Sequence, residues 1–239
     1  MRVLVTRPPQ PGARTAQRLA AMGHEPLTLP LFEPLHDAEK AFAALADTDG
    51  SVAVTSAEAI RAITGRPGDL APHLNRPLYA VGDATAEEAR TAGFASVTAS
   101  SGNGADLATL IAGQPAGQTG IPILYLAGAP RAETFETRAK ALGLTLTVAE
   151  CYRMRPLDVP VEILRTIFAT EAPDAILFYS RQTAERFFAL HDISTHLDAL
   201  IGIRLLCLSK TVADAVPPEL QGHVAIAETP DETSLLSLI

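Results

Sequence analysis

Short apolar runs alternate with stretches of helical periodicity along the whole chain. The apolar runs are rich in Val, Ile and Leu and lack a polar alternation, which is typical of strands buried on both faces of a parallel sheet. The predicted strands are Val3–Thr6, Ser51–Thr55, Leu78–Val81, Ser96–Ala99, Ile123–Leu126, Ala175–Tyr179 and Leu205–Leu208. The predicted helices are Ala13–Met22, Ala57–Ile63, Ala84–Ala92, Gly104–Ile111, Thr134–Leu142, Gln182–His191 and Thr211–Val216. This alternation predicts an α/β fold with parallel, doubly wound sheets.

The order of these elements also repeats. The paired segments are Val3–Phe32 with Ile123–Tyr152, Val52–Ser56 with Ile176–Ser180, Leu78–Ala86 with Leu205–Ala213, and Ser101–Leu107 with Thr229–Leu235. A period this long indicates duplication of a half of about 120 residues, because solenoid repeats run about 20–50 residues. The repeat predicts two similar α/β domains. Ligands of such pairs usually bind between them, at the carboxyl ends of the strands.

Small or hydroxyl residues follow strand after strand, just where a helix begins. Free backbone N–H groups, the positive end of the helix dipole and a hydroxyl together bind anions without a net positive charge. Each hydroxyl could equally be a plain N-cap, and the sequence leaves both readings open. The candidate substrate-binding residues are Thr6, Arg7, Ser56, Ala57, Gly82, Thr85, Ser101, Gly102, Gly128, Arg131, Ser180, Lys210 and Thr211.

Composition excludes several classes of protein. The net charge of −8 and the absence of a basic run argue against a nucleic-acid partner, and the apolar runs are too short for a membrane helix. Cys151 and Cys207 make no metal or disulfide framework, and the histidines show no metal-ligand spacing. Glycine-rich fingerprints for dinucleotides and Walker A motifs are absent. We therefore expect a cytoplasmic protein without metal or cofactor.

A series of short segments lies in a fixed order along the chain, namely Val5-Thr6-Arg7-Pro8, Thr55-Ser56, Ala80-Val81-Gly82 with Thr85-Ala86, Leu126-Ala127-Gly128 with Arg131, Tyr152, Tyr179-Ser180 with Ala184, and Ala227-Glu228-Thr229-Pro230 with Leu235. In their order and spacing over the whole chain, these segments resemble the uroporphyrinogen-III synthases.

The resemblance implies a domain order that differs from a simple tandem cut near Gly117–Gly120. Residues 1–31 and 158–239 would form one discontinuous α/β domain, and residues 38–149 would form the other. Two antiparallel connecting strands, 32–37 and 150–157, would join them as a hinge. Pro34 and Pro156 suit extended connectors, because proline disfavours helix in the residue before it.

The resemblance also implies the chemistry. The substrate would be hydroxymethylbilane, a linear tetrapyrrole with carboxylate side chains, which loses water and closes to uroporphyrinogen III with its last pyrrole ring inverted. Tyr152 would assist the leaving hydroxyl, while loop amides and hydroxyls would bind acetate and propionate groups. A monomer is expected, with hand-over from hydroxymethylbilane synthase left open.

The alternative function is a two-lobed protein that binds or senses an anionic ligand without turnover. A nucleotide-sugar or NAD enzyme would need the glycine-rich fingerprint that this sequence lacks.

Overall fold

The computed structural model describes residues 1–118, 120–170 and 172–239. The strands are β1 (Arg2–Val5), β2 (Glu25–Thr28), β3 (Phe32–His36), β4 (Val52–Val54), β5 (Leu78–Val81), β6 (Val97–Ser100), β7 (Ile123–Ala129), β8 (Leu146–Pro156), β9 (Ala175–Phe178), β10 (Arg204–Cys207) and β11 (Val224–Ile226). The helices are α1 (Pro9–Ala21), α2 (Ala38–Ala46), α3 (Ala57–Thr64), α4 (Pro67–Leu70), α5 (Asp83–Thr91), α6 (Gly104–Ala112), α7 (Pro115–Gln118), α8 (Thr134–Ala141), α9 (Val161–Arg165), α10 (Arg181–Phe188), α11 (His191–Ser194), α12 (Lys210–Ala213) and α13 (Glu232–Leu236). Short 3-10 turns cover Ala71–His73, Leu197–Leu200 and Pro218–His223, and a π-helical turn covers Thr166–Thr170.

The contacts between residues divide the chain into two compact units. Unit 1 contains Met1–Glu33 and Arg155–Ile239, and unit 2 contains Pro34–Met154. The chain crosses from one unit to the other inside β3 and again inside β8, within the segments that the sequence predicts as connectors. That each unit folds independently remains a prediction.

Unit 1 is built on a parallel sheet with the strand order β11-β10-β9-β1-β2. Its central strands β1, β9 and β10 carry almost only apolar side chains, and Val3, Leu177 and Leu206 are fully buried. Helix α1 covers the sheet through the buried Leu19. Burying both faces of the sheet is what the unbroken apolar runs require.

Unit 2 is built on a second sheet with the strand order β3-β8-β7-β4-β5-β6. The pairs β8-β7, β7-β4, β4-β5 and β5-β6 are parallel. Apolar clusters lie on both faces, one around Ile60 and Leu126 and the other around Leu107, Tyr125 and Phe135. The α/β fold class with parallel sheets is therefore confirmed.

The internal repeat is visible in the topology. The order β11-β10-β9-β1-β2 in unit 1 corresponds strand for strand to β6-β5-β4-β7-β8 in unit 2. In each sheet the chain proceeds outward in both directions from one central pair, β9 with β1 or β4 with β7. Such a reversal of strand order leaves a crevice at the carboxyl ends of the central pair, which is where open α/β sheets bind ligands. Each unit thus has one topologically favoured site.

Strands β3 and β8 form an antiparallel ladder. The Asp37 N–H donates to the Cys151 carbonyl at 2.7 Å, and the Leu157 N–H donates to the Leu31 carbonyl at 2.9 Å. This register brings Glu33 opposite Arg155, and the two side chains are ion-paired, with Arg155 Nε 2.9 Å from the carboxylate. The same register places Pro34 and Pro156 at non-hydrogen-bonded positions, so neither proline removes a bond from the ladder.

Candidate functional site

In unit 2, the carboxyl ends of the central strands β4 and β7 carry Ser56 and Gly128. Ser56 is the N-cap of α3, and its hydroxyl accepts a hydrogen bond from the Glu58 N–H at 3.2 Å. Strand β7 continues to Ala129, next to β8. This edge is therefore the crevice that the strand order of unit 2 favours.

Tyr152 lies directly on Gly128. Between Ala127 and Gly128 the register with β8 shifts, so that Ala127 faces Glu150 and Gly128 faces Tyr152, with Cys151 as the extra residue of a β-bulge. A Cβ atom on residue 128 would stand 2.3 Å from Tyr152 Cζ and 2.5 Å from its hydroxyl oxygen. Only glycine leaves room for the ring, and the bulge sets Tyr152 opposite this glycine at the end of β7.

The Tyr152 hydroxyl remains protonated over the physiological range. Burial raises the pKa of Tyr152 to about 12, against the opposing effect of hydrogen bonding with Ser56. The neighbouring Cys151, Tyr125 and Glu58 add to the increase in this pKa. A phenol in this state acts as a hydrogen-bond donor, because the phenolate is disfavoured at neutral pH.

A chain of charged side chains lies beside Tyr152. His36 Nε2 is 3.0 Å from one carboxylate oxygen of Glu58, and the other oxygen accepts a hydrogen bond from Arg61 at 2.5 Å. Arg61 in turn forms a bidentate pair with Glu88 at 2.8 and 3.1 Å. Because both Glu58 oxygens are held, its carboxylate is fixed in place.

Tyr152 and His36 line the same concavity of about 580 Å³ in unit 2. Its basic lining residues are Lys40, Arg66 and Arg153. Its acidic lining residues are Asp37, Glu39 and Glu150. The concavity therefore offers charged groups of both signs, together with hydrogen-bonding partners, to a ligand of moderate size.

The Arg131 guanidinium is hydrogen-bonded to partners within unit 2. Its guanidinium donates to Glu136 at 2.6 Å, to Glu150 at 3.0 Å and to the Gly128 carbonyl at 3.2 Å. Hydrogen bonds from Arg131 and Arg153 lower the pKa of Glu150. Arg131 therefore ties α8 and β8 to the end of β7, and its charge is already balanced by two carboxylates.

The equivalent edge of unit 1 is filled by side chains. One Glu232 oxygen accepts hydrogen bonds from Thr15 at 2.5 Å and from Arg7 and Tyr179 at 2.8 Å, and the other pairs with Arg18 at 2.6 Å. The Arg7 guanidinium also stacks 4.0 Å from the centre of the Tyr179 ring. Burial acts to raise the pKa of Glu232, but the hydrogen bonds from Thr15 and Tyr179 and the charge of Arg7 outweigh it and lower that pKa.

The other predicted residues of unit 1 also lie at the carboxyl edge of its sheet. Thr6 is buried and donates its hydroxyl hydrogen bond to the Leu177 carbonyl at 2.7 Å, which links β1 to β9 beyond the ladder. Ser180 caps α10 through the Thr183 N–H at 3.1 Å. Lys210 pairs with Asp214, and Thr211 is exposed, with its hydroxyl 2.9 Å from that of Ser209.

The other predicted residues of unit 2 lie at the corresponding edge. Gly82 precedes α5 with a φ of 74°, a left-handed conformation that favours glycine, and Thr85 is buried in the first turn of that helix. Ser101 and Gly102 are exposed after β6, and Ala57 is the first residue of α3. The structure therefore groups the predicted residues by unit, each group on one sheet edge.

The part of the chain that the structure describes contains neither a metal-binding cluster nor a membrane-spanning helix. No cluster of three or more His, Cys, Asp or Glu side chains there could hold a metal ion. None of the helices in residues 1–118, 120–170 and 172–239 is long and apolar enough to cross a membrane.

A family model described as "Uroporphyrinogen-III synthase HemD" matches residues 13–237. The chain belongs to the uroporphyrinogen-III synthase family. The structure is similar to uroporphyrinogen-III synthetase from Helicobacter pylori, with a TM-score of 0.65 and 18% identity over 100% of this chain and 98% of that one. It is also similar to a mutant uroporphyrinogen III synthase from the extremely thermophilic bacterium Thermus thermophilus, with a TM-score of 0.58 and 17% identity over 99% and 96% of the two chains. No curated protein sequence matches the chain.

Membership of the uroporphyrinogen-III synthase family gives the chain its reaction class. It is a cyclising hydro-lyase of haem biosynthesis, which confirms the activity expected from the sequence. An enzyme that acts on a tetrapyrrole needs room for a large ligand, and the concavity beside Tyr152 offers a volume of about 580 Å³.

Sequence reasoning about the synthase missed His36, Glu58 and Glu232. His36 has no metal-ligand spacing in the sequence, and Glu58 and Glu232 read as ordinary acidic residues in the first turn of a helix. The available signal for Glu58 was its position two residues after Ser56, which places a carboxylate beside the candidate crevice. Nothing local marks the partners of Glu232, because Tyr179 is 53 residues away in sequence and the others lie near the start of the chain.

Proposed function

We propose that hydroxymethylbilane reacts at the carboxyl edge of unit 2, with Tyr152 donating a hydrogen bond to the leaving hydroxyl. The observation that carries this proposal is the position of Tyr152. Its ring packs on Gly128, at the point in the sheet where the strand order reverses, and burial keeps its hydroxyl protonated. A donor held in this way is poised for an oxygen that gains negative charge as its bond to carbon breaks.

The chemistry needs little more than a donor and correct positioning. The pyrrole nitrogen supplies the electrons that expel hydroxide from the hydroxymethyl carbon, which leaves an azafulvene cation. Closure at the unsubstituted position of the last ring would give the uninverted product, so the enzyme must direct attack to the substituted α-carbon through a spiro intermediate. Holding the chain in that geometry is an entropic contribution, and Tyr152 adds a factor of at most about 10²–10³.

In unit 2, acetate and propionate groups are proposed to bind the starts of α3 and α5 and the loop at Ser101 and Gly102. In unit 1, the starts of α10 and α12, near Ser180 and Thr211, are the corresponding candidates for binding such groups. Arg7 and Arg131 act indirectly in this proposal. Their charges are balanced by Glu232 and by Glu136 with Glu150, so they shape the loops.

The test is Tyr152→Phe, which removes one hydroxyl. We expect type III product to form about 10–10³ times more slowly, with an unchanged circular dichroism spectrum and a larger share of type I product. Tyr79→Phe is the matched control, because Tyr79 is a buried tyrosine on β5 in the same unit. Equal rates for Tyr152→Phe and the control would return Tyr152 to a packing role.

Three finer features belong to the same proposal. The enzyme acts as a monomer, works in the cytoplasm and receives hydroxymethylbilane from its synthase. Light scattering should give a mass near the 25.2 kDa of one chain. A coupled assay with hydroxymethylbilane synthase and a trap for free hydroxymethylbilane tests the hand-over; complete capture by the trap would exclude it.

A further inference from the structure

We propose that His36, held by Glu58, is a second proton-transferring residue of this reaction, acting beside Tyr152. The inference rests on the proposed site in unit 2 and adds a residue to it. Two independent observations lead to it: the register of the β3–β8 ladder and the buried ion-pair network behind the imidazole.

The register of the ladder sets His36 against Tyr152. The bonds from Asp37 to Cys151 and from Leu157 to Leu31 fix a pairing in which His36 and Tyr152 are directly opposite, at a non-hydrogen-bonded position. Side chains at such positions are the closest pairs of an antiparallel ladder, with Cβ atoms about 4.5–5.5 Å apart. Both side chains also line the same concavity.

The network behind the imidazole fixes its orientation. The Glu58 side chain is only 9% exposed and that of Arg61 only 10%, whereas that of His36 is 31% exposed. His36 Nε2 faces the Glu58 carboxylate, so we assign a hydrogen to this nitrogen, which leaves Nδ1 as the nitrogen that can exchange a proton with a ligand. A carboxylate that orients a histidine in this way is a recurrent arrangement of acid–base catalysis.

The reaction needs a group that can give up a proton and take one back. At the start the C–O bond breaks, the pyrrole nitrogen supplies the electron pair and the departing oxygen takes one proton to become water. Attack by the substituted α-carbon of the last ring on the azafulvene carbon then forms one C–C bond and gives the spiro intermediate, in which the older bond from that α-carbon to its bridging methylene breaks and leaves a second azafulvene. At the end the unsubstituted α-carbon of the same ring bonds to this second azafulvene and releases its proton as the pyrrole regains aromaticity. The net loss is one water, so one residue can serve both steps.

His36 performs both transfers through Nδ1. The imidazolium protonates the departing oxygen, and the neutral imidazole accepts the proton from the α-carbon, while Nε2–H stays bonded to Glu58. Tyr152 is a hydrogen-bond donor in both steps, because burial makes its phenolate unfavourable. The charged and titratable groups around His36 are Glu58 on α3, Asp37, Glu39 and Lys40 around the start of α2, Arg66, and Glu150, Tyr152 and Arg153 on β8.

The first experiment compares His36→Gln with His191→Gln, an exposed histidine of unit 1. Glutamine keeps a hydrogen-bond donor for Glu58 but cannot transfer a proton. We expect His36→Gln to lower kcat about 10–10²-fold with little change in KM, and to abolish one limb of the pH–rate profile. His191→Gln should leave both unchanged. An unaltered pH profile in His36→Gln would overturn the proposal.

Chemical rescue separates proton transfer from a structural role. His36→Ala should lose activity and recover part of it with added imidazole, which can enter the space of the missing ring. The same imidazole should not accelerate the wild-type enzyme or His36→Gln. Failure of imidazole to rescue a folded His36→Ala variant would contradict the proposal. If His36→Ala does not fold, Glu58→Gln replaces it and should slow turnover and shift the same pH limb; an unmoved limb counts against the dyad.

The outcomes also distinguish this inference from the proposed site. If Tyr152→Phe slows formation of type III product and His36→Gln does not, the site stands and the role of His36 is wrong. If neither variant slows it, the reaction takes place elsewhere and both proposals fall.

Discussion

Substituting Gly128 by alanine should displace the Tyr152 ring. The added Cβ would stand 2.3 Å from Cζ, 2.5 Å from the hydroxyl oxygen and 2.6 Å from Cε2. Carbon atoms in contact normally lie about 3.5–4.0 Å apart, so the separation must grow by more than about 1 Å. Strand β7 is paired with β4 up to Leu126 and with β8 through Ala129, so its backbone has little freedom to retreat. The half-buried ring is the part that moves.

A shift of this size should affect activity more than stability. Misplacing a catalytic group by about 1 Å can cost about 10²-fold in rate, and overpacking costs about 1–3 kcal/mol. We therefore expect Gly128→Ala to lower the rate of type III formation about as much as Tyr152→Phe does. The assay is the initial rate and the type III to type I ratio of the oxidised porphyrins, together with urea unfolding.

Gly65→Ala is the matched control in the same unit. Gly65 ends α3 with a φ of −67°, and a Cβ there would meet nothing within 4 Å. Alanine at this position should leave activity intact and change the free energy of unfolding by less than about 1 kcal/mol.

A double-mutant cycle identifies the partner of the clash. In a Tyr152→Ala background the ring is gone, so Gly128→Ala should no longer destabilise the protein. If Gly128→Ala costs the same free energy of unfolding in both backgrounds, the clash involves another group. If it leaves the rate of type III formation unchanged, Gly128 does not position the ring.

Further predictions concern stability and domain order. Glu232→Gln should lower the free energy of unfolding by about 2 kcal/mol at pH 7, because it weakens several hydrogen bonds to a charged acceptor. The folded-state pKa of Glu232 lies below the ordinary 4.5, so its contribution to the free energy of unfolding is present above about pH 4.5 and is lost as the pH falls further. The urea midpoints of wild type and Glu232→Gln should therefore converge at low pH. A difference between the two midpoints that stays constant with pH would refute this account. Thr6→Val should cost about 1 kcal/mol through the lost bond to Leu177 and leave turnover unchanged; a large fall in rate would make Thr6 a binding residue. The fragment 38–149 should unfold cooperatively in urea. The fragment 1–120 should not, because it lacks β9, the neighbour of β1, and β7, the neighbour of β4. The opposite result for the two fragments would favour a tandem division of the chain.

The central strands could be predicted from sequence because burial on both faces leaves an unbroken apolar run. The two edge strands of unit 1 carry no such signal. Strand β2 reads Glu-Pro-Leu-Thr and β11 is three residues long, so neither shows the pattern, yet both pair at the edge of the sheet in unit 1. Proline is tolerated in β2 because an edge strand needs hydrogen bonds on one side only. Helix α2 was also missed, although Asp37 caps it through the Lys40 N–H.

The candidate site likewise contains some residues that the sequence predicts and some contacts that it does not. Residues at strand ends, such as Ser56 and Ser180, could be found because a strand-to-helix junction has a local signature. The pairing of His36 with Tyr152 could not, since it depends on a ladder register and a β-bulge set by residues far apart in sequence. The ion pair of Arg7 with Glu232 joins positions 225 residues apart, and no local pattern predicts it.

The division of unit 1 between the two ends of the chain has a consequence during synthesis. Strands β1 and β2 leave the ribosome before unit 2, but β9, the other neighbour of β1, follows only after the whole of unit 2. At about 5–20 residues per second, β1 waits roughly 10–30 seconds with one edge unpaired. An unpaired edge of this kind is a template for pairing with another chain. A nascent chain that stalls after Met154 would therefore contain all of unit 2. Its unit 1 would be incomplete, with one edge of β1 unpaired and open to aggregation.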